Sequence, residues 1–127
     1  MRHRIPLLAV LTTTAGCLLA GVVEAQVIKE NIPGIRNFAR VQSTVACAGA
    51  ITTDAIPEIK KMGYSTIINL RLASEEGADI PAHTAAAKAA GIQYIHIPFS
   101  AANPDPAAVD TFLKAITAPG VQPAFIH

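Results

Sequence analysis

From residue 38 the chain repeats one polarity pattern: a short apolar run, then a stretch of helical character closed by glycine or proline. Phe38 to Ser43 alternates apolar and polar residues, the period of a half-exposed edge strand. After Gly49, Asp54 is placed to cap a helix with Pro57 in its first turn. Ile56, Ile59 and Met62 form its apolar face, and Gly63 ends it. Thr66-Ile67-Ile68-Asn69-Leu70 is a β-branched apolar run suited to a strand covered on both faces.

Asp79 and Pro81 then open an Ala-rich helix that runs to Ala90 and stops at Gly91, and Ile92 to Ile97 reads as the next strand. Residues 98–104 form a loop. Asp105 as N-cap and Pro106 at the first helical position open a helix with Val109, Phe112, Leu113 and Ile116 on one side. Pro119, Gly120 and Pro123 break it before Ala124-Phe125-Ile126-His127 starts another strand. Alternating strands and helices predict an α/β fold with a mainly parallel sheet flanked by helices. In such sheets ligands bind beyond the carboxyl ends of the strands.

The first 25 residues differ in character. Arg2 and Arg4 precede an uncharged run, Ile5 to Val23, and Val23-Glu24-Ala25 offers small residues where a signal peptidase reads. Residues 1–25 are therefore expected to be a signal peptide and residues 26–35 a linker or N-terminal arm. The expected destination is periplasmic or secreted. An uncleaved membrane anchor and lipid anchoring through Cys17 in Ala15-Gly16-Cys17 are the alternatives.

The whole chain has 10 Lys+Arg and 9 Asp+Glu; without Arg2, Arg4 and Glu24, residues 26–127 carry eight of each. A neutral surface of this kind excludes a nucleic-acid partner, or an anionic membrane, held by a broad positive field. After signal cleavage no membrane association is expected. Export would leave Cys47 as a single cysteine without a disulfide partner. It lies in Val45-Ala46-Cys47-Ala48-Gly49-Ala50, with no His, Lys or Arg within four residues on either side, and is expected to be a buried small apolar residue and not a reactive thiolate.

Lone candidates elsewhere have plain structural readings. Arg71 closes a strand at the carboxyl edge, where it would face an anion or pair with Glu75 or Glu76. His96, between Ile95 and Ile97, suits a satisfied core position, and Lys60-Lys61 are solvated charges. His83, His96 and His127 lack metal-ligand spacing, and no Gly-rich nucleotide loop occurs, so neither metal nor cofactor is expected.

The series Ile68-Asn69-Leu70-Arg71, then Gly91-Ile92 with Tyr94-Ile95-His96-Ile97-Pro98, then Pro123-Ala124-Phe125-Ile126-His127 resembles the cysteine-dependent protein phosphatases over residues 36–127. The closest resemblance is to the bacterial phosphatase-like domain of beta-lactamase-hydrolase-like proteins, a relative of the dual-specificity phosphatases. The resemblance implies a partial dual-specificity-phosphatase-like fold. In that family the apolar strand ends in His and the next residue is the nucleophile of a His-Cys-x5-Arg loop. His127 holds the His position, so residues 36–127 are expected to be the N-terminal part of the domain, reaching as far as that loop.

A phosphate monoester needs a ring of backbone N–H donors, an Arg and a low-pKa thiolate. The resemblance further implies a general acid after the strand ending Ile97-Pro98, for which Asp105 is the candidate beside its role as a helix cap, and a bracing role for His127. It implies a phosphorylated small molecule or protein as substrate and a cysteinyl-phosphate intermediate. A rhodanese-like sulfurtransferase and a non-catalytic phosphate-binding module remain open as alternatives.

Overall fold

The computed structural model describes residues 26–41 and 43–127. The expected signal peptide and Cys17 lie outside the described residues. Six strands form one sheet in the order β1-β2-β3-β6-β4-β5. They are β1 (Ile28–Lys29), β2 (Ala39–Arg40), β3 (Val45–Cys47), β4 (Thr66–Asn69), β5 (Gln93–His96) and β6 (Ala124–Ile126). β1, β2 and β3 are antiparallel neighbours, whereas β3, β6, β4 and β5 run parallel. This is the mainly parallel α/β sheet that the alternation predicts.

β6 is last in sequence but central among the parallel strands, with β3 and β4 on its two sides. Its alternation divides the core. Phe125 faces α1 (Ile56–Lys61) and α2 (Ile80–Ala90) and packs with Phe38, Tyr64, Ile56, Ile59 and Ile67. Ala124 and Ile126 face α3 (Pro106–Thr117) and pack with Ile68, Val121, Phe112 and Ile116. All four residues of β4 are buried, as expected for a strand covered on both faces.

The caps of α2 and α3 form as the sequence predicts. Asp79 Oδ1 accepts from the Ala82 amide at 3.1 Å, Asp105 Oδ1 accepts from the Ala107 amide at 2.9 Å, and Gly91 closes α2 with a left-handed φ of 65°. Asp54 differs. A 3-10 turn, Thr53–Ala55, precedes α1 and moves the cap position to Ala55, so Asp54 sits inside the turn and makes no capping bond.

Three expectations about burial are also corrected. Phe38 to Ser43 supplies not the edge strand but β2, because Ile28–Lys29, in the arm before it, pairs along its outer side as β1. Cys47 is exposed: Ala46 takes the core-facing position of β3 and the pleat turns Cys47 to the opposite face. On α3, Phe112 and Ile116 pack on the sheet, but Val109 and Leu113 stay 44% and 53% exposed because they lie around the helix from that contact.

Candidate functional site at the carboxyl end of the parallel strands

The parallel strands end in a row of loops, and the backbone there is fixed strand by strand. The Ala48 amide donates to Ile126 O at 2.8 Å, and the Leu70 amide donates to His127 O at 2.6 Å. The chain beyond β6 is thus held between the exits of β3 and β4. Those two exits meet: a Cβ on Gly77 would lie 2.6 Å from Ala50 Cβ, so only glycine permits this approach, and its φ of +74° suits no other residue as well.

Arg71, at the end of β4, is tied down on every side. Asn69 Oδ1 accepts from the Arg71 amide at 2.8 Å, and His96 Nε2–H donates to the Arg71 carbonyl at 2.9 Å. The Arg71 Nε–H donates to Glu76 O at 3.0 Å and lies 3.6 Å from Glu75 Oε2. The expected ion pair with Glu75 is present, and the guanidinium is held at the carboxyl edge of the sheet. His96 is the satisfied histidine that its strand position implies. Asn69, fully buried, also donates through Nδ2 to Tyr94 Oη at 2.7 Å, which fixes both ends of its amide.

His127 points to the α2 side and is 5% exposed. Its ring centroid lies 5.9 Å from that of His83 on α2, itself 1% exposed, and 6.4 Å from Phe125. Neither ring nitrogen of His127 has a partner among the described residues, nor does His83 Nδ1. Burial, aided by His83, Arg71 and His96 nearby, pushes the His127 pKa down to about 3, and burial also lowers that of His83 despite Asp79. Both rings are neutral at pH 7. Unpartnered buried nitrogens are costly unless something satisfies them, and this pair, with the Tyr64 hydroxyl, makes up the unsatisfied polar side-chain groups of the core among the described residues.

Asp105 is exposed at the start of α3, serving as its cap. Beside it, an apolar recess of about 170 Å³ is lined by Leu70, Ile97, Phe99, Ala108, Val109 and Phe112. Partial desolvation raises the thiol pKa of the surface residue Cys47, and no cation opposes the shift. Among the described residues no three His, Cys, Asp or Glu side chains gather into a metal site, and no helix is long and apolar enough to cross a membrane.

Sequence reading missed two features of this end of the molecule. One is the meeting of His83 with His127, residues that are distant along the chain. The other is an ion pair between Arg36 Nη2 and Glu76 Oε1 at 3.4 Å, across a groove of about 470 Å³ lined by Gly34, Ile35, Arg36, Ala50, Ile51, Thr52, Glu76 and Gly77. Neither has a local signal in the sequence.

A six-stranded, mainly parallel sheet flanked by three helices is the phosphatase-like class of α/β fold. The chain belongs to the family of the beta-lactamase hydrolase-like protein, phosphatase-like domain, which matches residues 37–125. No curated protein sequence matches the chain.

Solved structures share the fold. A candidate phosphatase of the DUF442 group from Shewanella putrefaciens CN-32 superposes with a TM-score of 0.66 at 24% identity, over 77% of this chain and 66% of that one. The core catalytic domain of the PP-IP phosphatase Siw14 from S. cerevisiae, in complex with citrate, gives 0.55 at 16% identity, over 71% and 54%. P. aeruginosa TpbA gives 0.60 at 17% identity, over 83% and 60%. The chain therefore spans just under two thirds of the Shewanella protein and less of the others.

Proposed function

We propose that these residues form the N-terminal part of an exported cysteine-dependent phosphatase domain that hydrolyses phosphate monoesters. The carrying observation is His127: buried, neutral and unpartnered, at the end of the central parallel strand and between the exits of β3 and β4. In this reading a Cys-x5-Arg loop follows His127 in a longer chain. Its thiolate attacks phosphorus in line, the P–O bond to the leaving group breaks, and water then hydrolyses the cysteinyl phosphate. His127 braces the loop from the core side.

Asp105 protonates the leaving oxygen, and Arg71 adds positive charge at the rim. TpbA has been seen with pTyr bound to a variant, and Siw14 is named for PP-IP; both support a phosphorylated substrate, whether protein or small molecule. The basic start and uncharged run of residues 1–25 support export to the periplasm or beyond, with lipid attachment at Cys17 as the alternative route.

The test compares p-nitrophenyl phosphate turnover by residues 1–127 with turnover by the protein extended past His127. The reading expects turnover only from the extended protein. Sulfur transfer from thiosulfate, with no phosphate release, would favour the sulfurtransferase; phosphate binding without turnover would favour the binding module.

A further inference from the structure

The groove crossed by the Arg36–Glu76 pair belongs to no step of the reaction above, yet it opens beside the same strand exits. We infer that it is a subsite for a second anionic group of the substrate, a phosphate or carboxylate on the leaving-group side, and that Arg36 binds that group. The inference rests on the phosphatase reading of the neighbouring site.

The groove adjoins that site through its walls. One wall is the segment after β3, Ala50 to Thr52, and the other is Glu76-Gly77 from the loop after β4; the walls touch each other at Ala50 and Gly77, and their segments lead on from Ala48 and Leu70, whose amides donate to the Ile126 and His127 carbonyls. A substrate with its phosphoryl group beyond His127 and a leaving group turned to this side would run into it. Ile35, Ala50 and Ile51 give the groove apolar surface for a carbon skeleton, and Arg36 gives it a cation.

Arg36 is held in place from its backbone. Its amide donates to Ala50 O at 3.0 Å and its carbonyl accepts from the Gly49 amide at 2.7 Å. The turn carrying it has left-handed residues on both sides, Gly34 at φ +77° and Asn37 at φ +53°. A Cβ at Gly34 would lie 2.5 Å from Thr52 Oγ1, so the turn is packed against the β3 exit as tightly as a glycine allows. This seat fixes where the guanidinium starts, while the side chain itself remains 60% exposed and free to reach a ligand.

Glu76 already shows which chemistry Arg36 receives. Its carboxylate sits on Nη2 through one contact of 3.4 Å, and a guanidinium has five N–H donors, so a bidentate phosphate or carboxylate would make a better partner than Glu76 does. The Glu76 side chain is 78% exposed and gives up little on release. Its backbone carbonyl stays with Arg71, so the loop need not move when the carboxylate swings away.

The test is an NMR titration of the 127-residue chain with inorganic pyrophosphate and, separately, with orthophosphate. The expected result is a saturable change centred on the amides of Gly34, Arg36, Ile51 and Gly77 and on the Arg36 Nε–Hε. Pyrophosphate should bind about fivefold more weakly in Arg36→Ala and more tightly in Glu76→Gln, which removes the competing carboxylate. Changes spread over Lys29, Arg40, Lys60 and Lys114, or an unchanged midpoint in Arg36→Ala, would overturn the inference. Localised binding without turnover by the extended protein would refute the phosphatase reading and leave the anion site standing; turnover with diffuse pyrophosphate binding would do the reverse.

Discussion

His83 and His127 place their imidazoles 5.9 Å apart in the core between α2 and β6, both nearly solvent-free and both neutral. The pair couples the helix after the β4 loop to the strand end on which the proposed chemistry depends. Neither ring can take a proton without burying a charge, so acid weakens this contact.

The pH dependence has a definite sign. The folded-state pKa of His127 is depressed to about 3 from an ordinary value of 6.5, so the unfolded chain binds the extra proton between those limits. Stability is therefore full above pH 6.5 and falls as pH drops toward 3, by about 1.4 kcal/mol per pH unit for each proton taken up only on unfolding. His83 acts in the same direction. Urea unfolding at pH 7.5 and pH 4.5 checks this: the midpoint should fall at pH 4.5, and fall less in His127→Gln. An NMR titration should show the His127 ring unshifted down to pH 4.5.

Core packing predicts a sharp contrast in stability. Phe125 is fully buried between Phe38, with ring centroids 6.0 Å apart, and Tyr64, edge-on at 5.7 Å. Phe125→Ala should cost about 3–5 kcal/mol, whereas Leu113→Ala on the exposed side of α3 should change stability by less than about 0.5 kcal/mol. Equilibrium denaturation of the two variants measures both.

Asn69 joins the amide of Arg71 to the phenol of Tyr94. Asn69→Leu removes both bonds and leaves a buried donor without its acceptor, so a loss of about 2 kcal/mol is expected. The Arg71 amide should also exchange with solvent faster than in the parent. Tyr94→Phe, which removes only the phenol, should cost less by the same measurement.

Asp105 separates cap from acid. Asp105→Asn keeps a side-chain oxygen for the Ala107 amide and should leave stability within about 0.5 kcal/mol, while Asp105→Ala should lose about 1 kcal/mol. In the extended protein, a general acid requires that both variants lose turnover of poor leaving groups by about 100-fold. Turnover that is unchanged in Asp105→Asn would confine this residue to capping.

What the sequence made legible were the features with local causes. Asp79, Asp105 and Gly91 end helices by contacts within a few residues, and Thr66 to Leu70 announces a doubly covered strand by composition alone. Asp54 misled because a 3-10 turn inserts between it and α1, a choice made by packing of Ala55 and Ile56 and not by the acid itself. β1 was illegible because two residues, Ile28 and Lys29, carry no period and pair only because β2 offers them an edge. Cys47 was misplaced because an Ala-rich run has no alternation from which to read its face. Arg36 and Glu76 lie 40 residues apart and the two histidines farther still, so only the folded sheet brings each pair together.

The central claim is that the nucleophile follows His127 and that Cys47 takes no part. Acid-quenched reaction of the extended protein with p-nitrophenyl phosphate, followed by peptide mass spectrometry, tests it most directly. The account predicts one phosphoryl group on a cysteine beyond residue 127, unaffected by Cys47→Ser, and none on residues 1–127 alone. A phosphoryl group on Cys47, with turnover lost in Cys47→Ser, would contradict it.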